Sequence, residues 1–406
     1  MSAGLAQRES QPEKLRSAGM PLAATPAELA QAMEISVGEL RFLSFSRRTS
    51  PVTHYQRFRV PKKTGGERLI SAPMPRLKRA QEWVLRNVLE KVELHQAAHG
   101  FRRGRSIVTN AKPHVGADVV VNVDLKDFFP TITYRRIKGM FVKFGYSEAV
   151  ATILALVCSE PEIEPVEIDG AAYHVAKGDR RLPQGAPTSP AITNIICRGL
   201  DARMAAAAKD LGFTYTRYAD DITFSASGNV AANVGKALRR IAYVIENEGF
   251  SLHPDKTRVL RRARRQEVTG LVVNKKLSVS RSALRRFRAT LFQIERDGPA
   301  GKHWGHGNDV IASIEGFANF VAMVDAEKGQ AFQQQVRGII ERYGRGGGRD
   351  YPQRQRWVPR TPIEEPSPEP LDAEVLPSHD SAAVIPQAAS SARPTPARKK
   401  PWWKFW

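Results

Sequence analysis

The sequence has little cysteine and no long apolar run. Only two cysteines, Cys158 and Cys197, occur among its 406 residues, and no CxxC pair is present. This composition argues against a disulfide framework and against a zinc site built from cysteines. No apolar stretch is long enough to span a bilayer, and residues 1–19 lack the apolar core of a signal peptide. We therefore expect a protein without a membrane span that works in a reducing cytoplasm.

Acidic residues are scarce relative to basic ones. The chain has 62 Lys and Arg against 41 Asp and Glu, which gives a formal net charge of +21. Because clustered cations gain affinity for polyanions by releasing counterions, this balance favours a nucleic-acid partner. Basic proteins also bind membrane surfaces, or gain only solubility from their charge, so the charge alone leaves these alternatives open.

Local patterns predict a series of short ordered elements. Thr25 caps a predicted helix that has Pro26 at its first position. Residues 57–73 predict two short strands joined by a basic Gly-Gly turn. A β-branched run predicts a buried strand that ends at Asp124, and residues 215–226 predict two more strands that meet at an acidic turn.

The two ends of the chain differ from its middle. Residues 1–25 are polar and are predicted to be flexible. Residues 280–343 predict basic helices, and residues 346–406 are rich in Pro, Ser and Ala, a composition that predicts disorder. The sequence closes with ARKKPWWKFW, whose aromatic and basic side chains could stack on bases, touch a membrane surface, dock on a partner or have no function.

Three aspartates stand out by their position. Asp124 ends the predicted buried strand, and Asp220 and Asp221 are adjacent in the acidic turn. Charges at the ends of buried strands are costly unless something compensates them. Two Mg²⁺ ions roughly 4 Å apart would do so, and they could also activate a hydroxyl group and stabilise a leaving pyrophosphate. An Asp-Asp pair alone is more often simple turn chemistry, so the surrounding residues decide between the two interpretations.

Those surroundings resemble three motifs of reverse transcriptases. Tyr218–Asp221 (YADD) resembles the YxDD box of this family. Residues 123–132 (VDLKDFFPTI) resemble its A motif, and residues 182–194 (LPQGAPTSPAITN) resemble its B motif. The three occur in the order of the family, and the resemblance covers about residues 26–345. It implies an RNA-directed DNA polymerase.

The resemblance implies roles around a metal centre. Asp124 and Asp220 would bind two catalytic Mg²⁺ ions, with Mn²⁺ as an alternative, and Asp221 would complete the cluster. The backbone carbonyl of Leu125 would add a metal ligand. Asp127 matches no metal position of the family, which favours a surface or structural role.

The resemblance also implies contacts with the incoming deoxynucleoside triphosphate (dNTP). Phe129 would block a 2′-hydroxyl and so exclude ribonucleotides; the alternative is a core phenylalanine, which is what we expect of Phe128. Gln184 and Gly185 would form a turn beside the nascent base pair, because glycine lets the backbone approach closely and an amide can bond to template or nucleotide.

Cations for the triphosphate are implied at two places. Arg68 is the best match for the phosphate-binding cation of the fingers, and Lys63 is the second. The alternative for both is a solvated basic turn. Lys256 resembles the lysine of the D motif, which protonates or neutralises the departing pyrophosphate, and it counts among the catalytic residues.

Two further strings narrow the resemblance to the retron enzymes of bacteria. Asn110 and His114 match the NAxxH string of those enzymes. Val268, Thr269 and Gly270 match their VTG triplet, which follows the D motif. We predict that these residues bind RNA, although a lone histidine is more often structural.

A basic helix is predicted after residue 280. Its arginines could follow a nucleic-acid duplex or the cognate RNA, although part of such a charged face is commonly only solvated. The arginines predicted for RNA binding are Arg281, Arg285 and Arg286, with Arg288 beside them.

The fold implied by the resemblance is an α+β right-hand polymerase with fingers, an antiparallel-sheet palm and a helical thumb. The predicted division is a flexible N-terminus (1–25), fingers with an N-terminal helix (26–117), palm (118–275, with fingers elements between about 135 and 180), thumb (276–345) and a disordered Pro-rich tail with a basic-aromatic end (346–406).

Partners also follow from the resemblance. The template would be a cognate structured noncoding RNA, copied with dNTPs into single-stranded DNA that starts at a 2′-hydroxyl and stays joined to the RNA as a branched product. Retrons commonly serve antiphage defence. Because neither an effector nor an RNase H domain is evident, we expect a separate effector protein and a host RNase H for template removal.

Two alternatives remain open from the sequence. One is another bacterial reverse transcriptase, of the group II intron or diversity-generating type, although a long maturase segment or a nuclease domain is not visible. The other is a catalytically silent RNA-binding scaffold, which would have no need of Asp124, Asp220, Asp221 and Gln184.

Overall fold

The computed structural model describes residues 9–44, 49–61, 65–305 and 307–345. Its helices are α1 (Pro12–Ser17), α2 (Pro26–Ala32), α3 (Val37–Ser44), α4 (Pro75–Asn87), α5 (Ile107–Ala111), α6 (Tyr134–Phe144), α7 (Glu148–Val157), α8 (Ser189–Ile196), α9 (Arg198–Leu211), α10 (Val234–Asn247), α11 (Arg281–Asp297), α12 (Val310–Val324) and α13 (Ala326–Tyr343). Its strands are β1 (Thr49–Ser50), β2 (Tyr55–Pro61), β3 (Glu67–Pro73), β4 (Val119–Asp124), β5 (Glu160–Ile168), β6 (Ala171–Arg181), β7 (Thr214–Tyr218), β8 (Asp221–Ala226), β9 (Arg258–Arg261), β10 (Glu267–Val268) and β11 (Leu271–Val272).

Some predictions concern residues outside these ranges. The first eight residues, Lys63 and the Pro-rich tail at 346–406 all lie outside the described residues. Among the helices that are described, none is both long enough and apolar enough to cross a membrane.

A four-stranded antiparallel sheet lies at the centre of the chain. Its strand order is β7-β8-β4-β9, and each neighbouring pair is antiparallel. In the β4–β8 ladder Val119 pairs with Ala226 and Asp124 pairs with Asp221. The acidic end of β4 therefore lies beside the first residue of β8. This sheet with its surrounding helices confirms the predicted α+β class.

Both faces of β4 are buried, which explains its continuous β-branched sequence. Val119 and Val123 belong to the main core together with residues of α9 and α10. Side chains alternate along a strand, so Val120 points to the opposite face, where it packs with Val268 and Ala111 in a smaller core. Packing on both faces holds the strand in place up to Asp124.

Two hairpins form sheets separate from this one. β2 and β3 pair along their whole length, and Gly65 and Gly66 in their loop both have positive φ. This confirms the predicted basic hairpin, since glycine adopts such φ values without a steric cost. β5 and β6 form a longer hairpin, to which β1 adds a third strand.

The N-terminal region is ordered where the sequence predicts flexibility. On α1 the side chain of Leu15 is 0% exposed, and Met20 belongs to the same main core. The amide of Gln11 donates to the carbonyl oxygen of Gly145 at 2.7 Å. The prediction is wrong for residues 9–25, because isolated apolar side chains in a polar stretch give little periodic signal and their partners lie far away in sequence.

The C-terminal helices have a core of their own. Phe287 of α11 is fully buried, and its ring centroid lies 4.9 Å from that of Trp304, 4.6 Å from Phe317 and 5.1 Å from Phe332. This aromatic cluster is separate from the main core. The helices α11 to α13 confirm the helical prediction for residues 280–343.

Candidate active site

The three aspartates come together where β4 ends and β8 begins. Asp124 and Asp221 lie opposite each other in the ladder. Asp220 lies in the two-residue turn between Tyr218 and Asp221, which pair with each other. The amide of Leu125 donates to the carbonyl oxygen of Asp220 at 3.1 Å, which joins the turn to the end of β4. The residues predicted for the metal centre are thus neighbours in space.

These carboxylates repel one another in a partly desolvated setting. Burial raises the pKa of Asp220, and the charge of Asp124 raises it further. Burial also raises the pKa of Asp221 to about 6, and both other aspartates add to that shift. More negative charge is therefore gathered here than the surrounding protein compensates.

Lys256 supplies a cation that faces this cluster. Its Nζ lies 2.9 Å from Oδ1 and 3.1 Å from Oδ2 of Asp124, while its side chain stays 41% exposed. Within the described ranges, no three carboxylate, imidazole or thiol side chains lie close enough together to hold a metal ion. The ammonium group occupies both oxygens of Asp124, and its exposure leaves room for it to move away.

The chemistry of the cluster nevertheless fits a divalent cation. Carboxylates and backbone carbonyls are the oxygen ligands that Mg²⁺ prefers, together with water and phosphate oxygens. Burial and the neighbouring carboxylates raise the pKa values of Asp220 and Asp221, so their ionised forms would gain from a counter-charge. A cation beside them would supply that counter-charge.

The turn at Gln184 and Gly185 packs against the β2–β3 hairpin. The amide of Ser71 on β3 donates to the carbonyl oxygen of Gln184 at 2.8 Å. Gly185 has a φ of +128°, and a Cβ there would lie 2.8 Å from the carbonyl oxygen of Ser71, so only glycine fits. Arg68 is exposed on the same strand, and its charge opposes the rise in the pKa of Asp220.

Aromatic rings line one side of the aspartate turn. Phe129 is half-buried, and its ring centroid lies 6.3 Å from that of Phe101. Phe101 in turn lies 6.5 Å from Tyr218 and is 50% exposed. Phe128 is buried and packs 5.8 Å from Phe250, which confirms that it is a core residue. Phe101 is a site residue that the sequence motifs did not indicate.

The NAxxH string lies inside the protein. Asn110 and His114 are both 0% exposed. The ring of His114 hydrogen-bonds to the hydroxyl groups of Ser225 at 2.7 Å and Thr216 at 2.8 Å, and burial lowers its pKa to about 3, so it is neutral. The prediction that Asn110 and His114 bind RNA directly is wrong, because neither has surface to offer. His114 instead connects β7 and β8 through these two hydroxyl groups.

The VTG triplet forms the end of a small hairpin. Val268 is 0% exposed and pairs with Leu271, so direct RNA contact is wrong for this residue too. Thr269 and Gly270 have φ values of +46° and +81°, as a two-residue hairpin turn requires, and they remain accessible. Val268 shares its core with Ala111. The NAxxH and VTG strings therefore belong to one packed unit under the sheet.

Exposed arginines lie on α11 and around β9. The predicted arginines of α11 are exposed, and the guanidinium of Arg286 lies 5.1 Å from the ring centroid of Trp304. The sequence motifs did not indicate a second exposed group, which consists of Arg258, Arg261 and Arg264. Asn274 fixes the turn after β9 by donating to the carbonyl oxygen of Arg264 at 2.8 Å. The basic string RVLRRARR at residues 258–265 is the sequence feature that could have predicted this group.

A buried arginine lies two residues before the aspartate turn. Arg217 is 0% exposed, and so is its partner Asp201. Motif matching did not select either residue. The available signal was a charged residue on the same inward face as Tyr215, since side chains alternate along a strand and a buried charge requires a partner.

The family comparison agrees with this geometry. The model of the reverse transcriptase (RNA-dependent DNA polymerase) family matches residues 60–274, which is more than half of the chain and includes all three aspartates. The fold and the site together define an RNA-directed DNA polymerase, an enzyme class that uses divalent metal ions.

Relatives narrow the class. Retron Mx162 reverse transcriptase of Myxococcus xanthus is 46% identical over 338 residues, 80% of this chain and 69% of the relative. Retron Ec86 reverse transcriptase of Escherichia coli is 31% identical over 335 residues, 82% of this chain and 94% of the relative. The chain belongs to the retron reverse transcriptases. The predicted type is thereby confirmed over the intron, diversity-generating and scaffold alternatives.

Solved structures give a weaker likeness. Telomerase of Candida albicans, in a complex with a fragment of telomeric RNA, superposes with a TM-score of 0.42 at 12% identity, covering 71% of this chain and 56% of that one. Telomerase of Candida Tropicalis in a similar complex gives a TM-score of 0.44 at 12% identity, over 72% of this chain and 55% of that one. A likeness at this level carries no argument about this chain.

Proposed function

We propose that this retron reverse transcriptase copies a cognate structured noncoding RNA into single-stranded DNA that begins at a 2′-hydroxyl of the RNA. The observation that supports the chemistry is the convergence of Asp124, Asp220 and Asp221 where β4 meets β8. In each addition the primer oxygen bonds to the α-phosphorus of the dNTP, the bond to pyrophosphate breaks, and the hydroxyl proton leaves to solvent. The first addition leaves RNA and DNA joined in a branched product.

The aspartates would hold two Mg²⁺ ions, for which Mn²⁺ could substitute. Asp124 and Asp220 are the proposed ligands, completed by Asp221 and the carbonyl of Leu125. When bound, the ions favour ionisation of the attacking hydroxyl and stabilise charge on the pyrophosphate. The raised pKa of Asp221 supports this assignment, because a carboxylate that is hard to ionise alone gains strongly from a nearby cation.

Lys256 would pair with Asp124 before the reaction and with the departing pyrophosphate during it. Its ammonium group pairs with Asp124 in the free chain. Once a divalent cation binds at Asp124, Lys256 would be repelled from that carboxylate, and its 41% exposure gives it room to turn toward the substrate. There Nζ would donate a hydrogen bond or a proton to the departing pyrophosphate.

The neighbouring residues would select and hold the dNTP. Phe129 would exclude a 2′-hydroxyl by its ring, and Gln184 and Gly185 would lie beside the nascent base pair. Arg68 would bind the triphosphate, because it is exposed and its charge acts on Asp220. Lys63, in the loop of the same hairpin, is the second proposed phosphate ligand.

RNA binding would fall to exposed residues rather than to the buried strings. Thr269 and Gly270 keep this role because their turn is accessible, whereas the adjoining buried residues would support that turn. Exposed arginines would contact phosphates without base specificity. These arginines are Arg281, Arg285 and Arg286 on α11 and Arg258, Arg261 and Arg264 around β9.

The wider setting is also part of the proposal. Residues 26–117 would act as fingers, 118–275 as palm with fingers elements inserted, and 276–345 as thumb. The enzyme would work in the cytoplasm in antiphage defence, with a separate effector protein and with host RNase H removing the template. Two free, buried cysteines are compatible with a reducing compartment.

The test is to express the chain with its adjacent upstream DNA and to extract nucleic acid after mild protease treatment. Wild type should yield a short DNA joined to RNA, and an Asp220→Asn/Asp221→Asn variant should yield none. Asp127→Asn is the matched control. Asp127 is exposed in the same region and has a φ of +47°, a conformation that asparagine tolerates, so this variant should retain the product.

The outcomes separate the parts of the proposal. If no branched DNA forms but the purified protein extends a supplied primer on RNA with Mg²⁺, the polymerase chemistry holds and the priming proposal is wrong. If the double variant makes as much branched DNA as wild type, the assignment of the aspartates is wrong.

A further inference from the structure

The aspartate turn has an unfavourable backbone conformation at its first residue. Ala219 has a φ of +56°, in the left-handed region, at a position where two-residue hairpin turns favour glycine, asparagine or aspartate. For a residue with a Cβ this conformation costs about 1 kcal/mol or more. Such a conformation persists where surrounding contacts enforce it, so the contacts of Ala219 indicate what holds the turn.

One of these contacts comes from Arg217, two residues earlier. Its Nη1 donates to the carbonyl oxygen of Ala219 at 3.0 Å and to Oδ1 of Asn194 at 3.1 Å. Its Nε and Nη2 donate to the two carboxylate oxygens of Asp201, each at 2.7 Å. The hydroxyl of Tyr215 donates to the same carboxylate at 2.7 Å. The guanidinium is thus held in one orientation, with one N–H group aimed at the turn.

The segment that contains Gly100 also packs against the backbone of the turn. A Cβ on Gly100 would lie 2.5 Å from the amide nitrogen of Ala219. Asn194 donates its amide to the carbonyl oxygen of Gly100 at 2.8 Å, and the amide of His99 donates to the carbonyl oxygen of Arg217 at 2.8 Å. Asn194 therefore joins the arginine to the backbone segment that packs against Ala219 at Gly100.

Stability alone is a weak reason for such a network. Arg217, Asp201 and Asn194 are all 0% exposed, and the desolvation of two buried charges can exceed their attraction. Apolar replacement of a buried ion pair is often neutral or stabilising. What an apolar core cannot supply is a directed hydrogen bond to the carbonyl oxygen of Ala219, and this residue directly precedes Asp220.

We propose that Arg217, Asp201 and Asn194 form a positioning clamp that holds Ala219 in its left-handed conformation and thereby places Asp220 and Asp221 for catalysis. This inference rests on the proposed function of the two aspartates. None of the three clamp residues touches substrate in this role. They act through the backbone of the turn.

The main test is a Tyr215→Phe/Asp201→Leu/Arg217→Met variant of the full chain, which replaces the two charged side chains with apolar ones. Tyr215 is changed as well, because its hydroxyl group would otherwise lose its acceptor on Asp201. We expect a folded protein that binds RNA and dNTP as wild type does, with kcat about 10- to 100-fold lower. Without metal or substrate, amide hydrogen exchange in residues 214–225 should be faster. The affinity for Mn²⁺, measured by electron paramagnetic resonance, should fall at least several-fold.

A matched control removes a buried polar contact elsewhere. Gln81 donates to the hydroxyl of Tyr55 at 2.9 Å, and both residues are buried. A Tyr55→Phe/Gln81→Leu variant should change neither the exchange of residues 214–225 nor the affinity for Mn²⁺.

Ala219→Gly provides the rescue. Glycine adopts positive φ without the cost that alanine bears, so in the apolar background Ala219→Gly should raise kcat at least threefold above that of the apolar variant. Should the apolar variant not fold, Arg217→Lys is tested in its place. An ammonium group can pair with Asp201 but lacks the guanidinium geometry, and the same exchange, Mn²⁺ and rescue results are expected.

Several results would overturn the clamp. The proposal is wrong if the apolar variant folds and shows both wild-type kcat and unchanged hydrogen exchange in residues 214–225. It is also wrong if kcat falls while neither the hydrogen exchange nor the affinity for Mn²⁺ changes. If wild type and Asp220→Asn polymerise equally, the proposed function fails instead, and the exchange measurement still reports on the clamp.

Discussion

In metal-free protein, replacing Asp221 by asparagine should stabilise the fold at neutral pH but not at acidic pH. The pKa of Asp221 is about 6 in the folded chain, whereas an aspartate in an unfolded chain has a pKa of about 3.9. Because the folded value is the higher one, the folded state binds the proton more tightly and ionisation destabilises it. This destabilisation is absent below about pH 4 and complete above about pH 6.

The size of the effect follows from the shift. A difference of about two pK units corresponds to about 3 kcal/mol at about 1.4 kcal/mol per unit. The surrounding protein desolvates the Asp221 carboxylate enough to raise its pKa, yet more than a third of the surface of this residue is accessible. Solvent therefore screens part of the shift, and about 1 kcal/mol is the expected gain. For a chain of this length that corresponds to about 2 °C in Tm. Burial is the largest cause of the raised pKa of Asp221, the charges of Asp220 and Asp124 add to it, and the charge of Lys256 opposes it.

The assay is thermal unfolding of wild type and Asp221→Asn in EDTA between pH 4 and 7.5. The two Tm values should agree at pH 4, and the variant should be more stable at pH 7.5. Asp127→Asn, which removes a charge from an exposed residue in the same region, should show no such pH-dependent gain. Addition of Mg²⁺ should favour wild type. An equal difference at both pH values, or no difference at pH 7.5, would refute the reasoning.

Further predictions concern other parts of the molecule. Gly100→Ala should lower primer extension about 100-fold with RNA binding unchanged, because the added Cβ would lie 2.5 Å from the turn backbone; normal extension would contradict the packing. Phe287→Ala should destabilise α11 to α13 by about 3–5 kcal/mol, seen as faster hydrogen exchange there but not in β4 or β8, because its core is separate. Replacing Arg258, Arg261 and Arg264 by glutamine should lower the slope of log RNA affinity against log salt concentration by about 2 in magnitude. Replacing three exposed cations of α10 by glutamine should leave this slope unchanged.

Much of the fold could be predicted because its signals are local. The β-branched run that becomes β4, the cap at Thr25 and the glycines of the β2–β3 loop each act on neighbouring residues, so short-range sterics and hydrogen bonding suffice to read them. The three aspartates were predictable for a related reason, since carboxylates at strand ends are costly without a cation.

Long-range packing explains the errors. The sequence indicates that Asn110, His114 and Val268 belong to the NAxxH and VTG strings, but it does not indicate that all three are buried. Burial depends on α5 and the β10–β11 hairpin meeting on one face of the sheet, and periodicity within a short string cannot reveal its partner. The order around Leu15 escaped prediction for the same reason.

By itself, the sequence determined the class of polymerase, the three aspartates of the candidate site, the strands that carry them and the basic charge that favours nucleic acid. Only the tertiary structure decided that Lys256 pairs with Asp124 and that Arg217 reaches both Asp201 and the carbonyl oxygen of Ala219. These contacts join residues from separate elements, and their directions depend on how the sheet and helices pack. Hydrogen bonds weaken steeply with distance and angle, so such pairings follow from coordinates and not from residue order.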